Sequence, residues 1–171
     1  PAAKSVRSVF DRTLFVLGRA AAVAAPAGAL IWLLASLDIG GISVFSHLTT
    51  LLDPAGRLFG LDGVILLAFI LAFPANELVM PLIVMGYLAT GSITDVADLA
   101  AFRTLLLANG WTVCTALCTL VFSVAHWPCS TTCLTIWKET RSIKWTLAAF
   151  ALPTAFGLAL CLAVHGVCTL I

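Results

Sequence analysis

Residues 64–90 read VILLAFILAFPANELVMPLIVMGYLAT, and the motif Phe73-Pro74-Ala75-Asn76-Glu77 in their middle decides the fold. The flanks are apolar, as a bilayer core requires of a helical span about 20 residues long. Pro74 has no backbone N–H and its ring clashes with the turn before it. The stretch therefore predicts two half-helices, with Pro81 as a further break. Asn76 and Glu77 fall at the fracture. A carboxylate at that depth costs roughly 2.5–3.5 kcal/mol on insertion scales, so it is there for a reason. A protonated acid bonded to a neighbouring helix is one reading of Glu77. An ion or proton site is the reading its place at a break favours.

A second stretch, 111–137, repeats the pattern. It is interrupted by His126-Trp127-Pro128-Cys129-Ser130, with Pro128 as the breaking residue. Cys129 and Cys133 share one face of the helix after Pro128, being four residues apart. Ser130, Thr131 and Thr132 fall on its first turn, where backbone N–H groups have no helical partner. Imidazole and thiolate suit a borderline-soft divalent metal, and Glu and Asn add oxygen donors. Irregular backbone at membrane depth is tolerated only when buried in protein or lining a watery cavity. Transporters build midplane sites from such breaks. Each break here carries the rare polar residues of its segment. The candidate metal or permeation residues are Glu77, Asn76, His126, Cys129 and Cys133, each weighed against plain packing.

The rest of the 171-residue chain fits a membrane protein. Hydrophobic residues make up 61% and charged residues 10%, against about 25% charged in soluble domains. No Asp, Glu, Lys or Arg occurs in 20–37, 104–137 or 145–171. Residues 3–13 read as a short amphipathic helix and 14–37 as a first span. Residues 39–63 read as loop plus interfacial helix, 91–109 as a polar connection, and 145–169 as a last span. Trp111, Trp137 and Trp145 fall at span ends as interfacial anchors do. Lys4, Arg7, Arg12 and Arg19 put the first segment in the cytoplasm, and Lys138, Arg141 and Lys144 do the same for 138–144. The acidic connections then lie outside, and 64–90 dips in and returns as a re-entrant hairpin. The net charge of +1, with no basic patch, gives no footprint for nucleic acid.

Six cysteines in or beside apolar spans read as small packers or metal ligands, not a disulfide framework. Cys114 and Cys118 read as core. Cys161, His165 and Cys168 share a face near the end of the last helix, where packing is favoured over a metal patch. No P-loop, Ser-His-Asp set or dinucleotide fingerprint is present.

The stretch from Phe73 to Leu88 resembles the second gate segment of the ferrous-iron transport protein B family. His126 to Thr140, the following Ser142-Ile-Lys-Trp-Thr, and Val9 through Trp32 resemble that family too. The resemblance implies a multi-pass protein of the bacterial inner membrane, similar in design to concentrative nucleoside transporters. The expected fold is all-α, half of an inverted-repeat transporter, with residues 1–171 as its second gate repeat. The upstream GTPase domain and the first gate repeat would lie outside this chain. Fe²⁺ would be the transported ion, with no bound cofactor and no enzymatic activity in the chain. Implied partners are the lipid bilayer, the remainder of the transporter, small cytoplasmic Feo proteins and a further copy in a homo-oligomer. The alternatives are a gate-type carrier of a nucleoside or other small solute, a membrane scaffold, and, more remotely, an intramembrane metalloenzyme.

Overall fold

The computed structural model describes residues 28–88 and 98–170, together with 13–14, 17–18, 21–22 and 25–26. The amphipathic helix expected over 3–13 lies, but for residue 13, outside the described residues, as do 15–16, 19–20, 23–24 and 27 of the first span. Helix α1 covers 28–36, and a small antiparallel pair, β1 (Asp38–Ile39) and β2 (Ile42–Ser43), turns the chain. The helices that follow are α2 (Val44–Leu58), α3 (Gly63–Leu71), α4 (Val79–Leu88), α5 (Leu99–Ala108), α6 (Val113–Ala125), α7 (Ser130–Thr140) and α8 (Ile143–Leu170). The described part is an all-α membrane-type fold.

Local chemistry sets the ends. Ser43, Asp62, Asp98 and Thr112 cap α2, α3, α5 and α6, each accepting a backbone N–H of the first turn. Such caps satisfy donors that a helix start leaves unpaired. Between α2 and α3 the chain turns by 106°. The corner is tight enough that a Cβ on Gly63 would lie 1.9 Å from the Thr49 carbonyl oxygen. Asp53 closes it, accepting from the Gly63 N–H at 3.2 Å and from Arg57 Nε at 2.6 Å.

The hairpin expected over 64–90 is present in its described part, from Gly63 to Leu88. Helices α3 and α4, of 9 and 10 residues, are each about 15 Å long at 1.5 Å per residue. That is about half of a hydrocarbon core about 30 Å thick. Their open ends meet, because the Tyr87 hydroxyl donates to the Asp62 carboxylate. Asp62 also caps α3, accepting from the Ile65 N–H at 2.7 Å. The turn lies at 72–75, followed by a 3-10 turn over Asn76–Leu78. Ile65, Ala68, Leu82 and Ile83 are fully buried between the arms and the helices around them.

Among the described residues two helical runs are long and apolar enough to cross a membrane: Val113–Thr140, which contains the second break, and Ile143–Leu170. They pack antiparallel. Along the crossing, Cys118 and Cys161 each direct a thiol at the other's backbone carbonyl, at 3.8 and 3.4 Å. The outward faces stay apolar, with Val124 90% and Trp145 68% exposed, as lipid-facing surfaces are.

Three expectations need correction. Pro81 is not a break: it sits in the first turn of α4, where its missing N–H has no carbonyl to lose. The segment 91–109 is not simply a connection, since Leu99–Ala108 form α5 behind the Asp98 cap. Trp111 is not a lipid-facing anchor. It is buried, and its Nε1 donates to the Tyr87 hydroxyl at 2.6 Å. Trp137 and Trp145 are exposed, as anchors at span ends would be.

Candidate functional site

The two breaks meet. The backbone N–H of Ser130, the first residue of α7, donates to the Phe73 carbonyl at the hairpin turn, at 2.8 Å. The Ser130 hydroxyl reaches the Pro74 carbonyl at 3.5 Å. Pro74 and Pro128 thus free backbone groups that partly satisfy one another. Aromatic rings close the back of the joint. Phe69 packs edge-on against Phe122, with centroids 4.8 Å apart, and lies 5.1 Å from the His126 ring. Trp127 stacks on Phe150 at 5.5 Å, and Phe73 meets Phe150 at 6.0 Å. Helix α8 comes close here because Gly157 has no side chain: a Cβ would sit 2.6 Å from the Ala125 carbonyl oxygen.

Each candidate residue has a definite place. Asn76 and Glu77 lie on the 3-10 turn and are exposed. His126 ends α6, half-buried, with Nδ1 at 3.0 and 2.9 Å from the Phe122 and Ser123 carbonyls. Those acceptors call for a proton on Nδ1 and leave Nε2 as the nitrogen available to a ligand. Cys129 occupies the cap position of α7, its sulfur 3.1 and 3.2 Å from the Thr131 and Thr132 hydroxyls. The positive end of the α7 dipole faces that sulfur. The Cys133 thiol is turned back to the Pro128 carbonyl at 3.6 Å.

The backbone joint brings the two segments together without closing a ligand sphere. Among the described residues no three His, Cys, Asp or Glu side chains lie close enough to hold a metal ion between them. Asn76 and Glu77 follow the turn on one side of the joint, His126, Cys129 and Cys133 flank Ser130 on the other, and the cavity beside the joint is lined by Phe73, Ser130, Cys133 and apolar neighbours.

Sequence reasoning missed the lock that holds the hairpin mouth. Asp62, Tyr87 and Trp111 form one hydrogen-bonded chain from the start of α3 through the end of α4 to the start of α6. The signal was present as a polar residue at the end of each apolar run, but nothing local says that the three converge. The sequence-level grouping of Cys161, His165 and Cys168 also divides. Cys161 is fully buried against Cys118, whereas His165 faces Cys114 at 3.7 Å.

No curated protein and no solved structure matches the chain. A family model described as Gate, nucleoside recognition, matches residues 17–143, which include the hairpin and both breaks. With two apolar spans among the described residues and paired breaks, the chain belongs to the Gate family and is a membrane protein of the transporter kind.

Proposed function

We propose that the joined breaks line a path for Fe²⁺ across the bacterial inner membrane, as part of a GTPase-coupled transporter. The observation that carries the reading is the direct bond between the breaks, from the Ser130 N–H to the Phe73 carbonyl. It joins the segment that holds Glu77, the sole acidic residue of 64–90, to the segment that holds His126-Trp127-Pro128-Cys129. Glu77 attracts the cation and offsets part of its charge. Asn76, His126, Cys129 and Cys133 replace water in its shell, weakly enough for the ion to leave. An incomplete ligand set suits this role, since a closed four-ligand cage holds its metal. Further donors come from the rest of the transporter. The GTPase domain, the first gate repeat and the small cytoplasmic Feo proteins belong to the same proposal.

A nucleoside carrier is the second reading, supported by the family's description and by Trp127, Phe73 and Asn76 at the joint. Gate domains occur both in ferrous-iron transport protein B and in nucleoside transporters. Against it, Trp127 and Phe150 stack on each other and leave no slot between them for a base. Uptake of radiolabelled Fe²⁺ and of uridine into vesicles holding the intact transporter separates the two. Iron accumulation without uridine accumulation is expected, and the reverse overturns the assignment.

A further inference from the structure

The outer ends of α6 and α8, together with the turns at 57–62 and 109–112, enclose a cavity of about 640 Å³ well away from the breaks. Cys114, His165 and Cys168 line it. The Cys114 sulfur and His165 Nδ1 face each other at 3.7 Å. Cys114 comes from the first turn of α6 and His165 from the last turns of α8, so the antiparallel packing of two spans creates the pair. The nearest carboxylate lining the space, Asp62, is already occupied by the Tyr87 hydroxyl and the Ile65 N–H. Beside this pair the cavity wall carries a second thiol, Cys168, which lies against Cys114, and no free acid.

We propose that Cys114 and His165 form a two-ligand site for a soft monovalent cation with a filled d shell, of the copper(I) or silver(I) type. Hard cations need several oxygen donors, and structural zinc takes four ligands. Two donors of the soft and intermediate kind match an ion content with linear, two-fold coordination. With bonds on the scale of those zinc makes, about 2.3 Å to sulfur and 2.0 Å to nitrogen, opposed ligands stand about 4.3 Å apart. The observed 3.7 Å then has to widen by about half an ångström. That is a small rotation of an imidazole that borders open space. Binding exchanges a proton for the metal: the Cys114 thiol releases H⁺ to water in the cavity and forms the metal–sulfur bond. His165 donates the Nδ1 lone pair with its proton on Nε2, and no electrons change hands. The site is separate from the proposed iron path.

The test uses the full-length protein with Cys129 and Cys133 replaced by serine, titrated anaerobically with copper(I) against a competing chelator. One equivalent is expected to bind, with X-ray absorption showing one sulfur and one nitrogen neighbour. Cys114→Ser and His165→Phe are each expected to weaken binding by at least about 10-fold, the scale of disturbed metal ligation. Undiminished affinity in either variant overturns the site. So does a shell of sulfur alone, a result readable in the protein that keeps both residues even if a variant fails to fold. Iron uptake reports on the breaks and copper(I) binding on this cavity, so either reading can fail alone.

Discussion

Glu77 stands exposed at the tip of a hairpin whose arms are otherwise apolar. In a chain with so few charges, an acid at that position is costly unless something positive passes it. Glu77→Gln keeps the shape and removes the charge. Cys129→Ser keeps a small polar group and removes the soft donor. Each is expected to lower iron uptake by about 10-fold or more, the scale of disturbed metal ligation, with unchanged insertion measured by membrane fractionation. Uptake at the parent rate in both variants contradicts their roles. These residues were legible in the sequence because each lies beside the proline that breaks its helix. Trp111 was not. Its partner Tyr87 is 24 positions away, and no local pattern reports a bond between two span ends.

The hairpin was legible for the same reason, since Pro74 and the polar pair behind it interrupt an apolar run. Pro81 misled because a proline alone does not say whether it lies inside a helix or in its first turn. Helix α5 was missed because Asp95, Asp98, Arg103 and Asn109 make 91–109 look like loop. Asp98, placed just ahead of an apolar run, is the start signal that would have found it. The crossing of α6 and α8 depends on small residues, as helix pairs in membranes do. Gly157→Val forces a branched side chain against the Ala125 carbonyl and is expected to destabilise by about 1–3 kcal/mol. Gly166→Ala, where no atom lies within 4 Å of the added Cβ, is the control that leaves stability near the parent. Thermal unfolding in detergent reads both. Equal melting of the two variants contradicts the close crossing.

Across the whole molecule, α8 spans 28 residues, about 42 Å at 1.5 Å per residue. It exceeds a hydrocarbon core of about 30 Å and is expected to tilt or extend into the headgroups. The end of α7, the turn after it and the start of α8 carry Lys138, Arg141 and Lys144, a basic cluster that the positive-inside bias leads one to expect on the cytoplasmic side. An amine reagent that cannot cross membranes is expected to spare Lys138 and Lys144 in intact cells and to modify them in inverted vesicles. The opposite pattern reverses the orientation. The fold class and the two long apolar runs at 113–140 and 143–170 followed from where charges are missing. The meeting of the breaks did not, because it rests on one backbone hydrogen bond between residues 73 and 130. Anomalous scattering at the iron edge, from Fe²⁺-soaked crystals of the intact transporter, tests that meeting point most directly. The expected result is a peak between Glu77 and the His126–Cys129 segment. An iron peak elsewhere, with the joint between the breaks left dry and empty, contradicts the account.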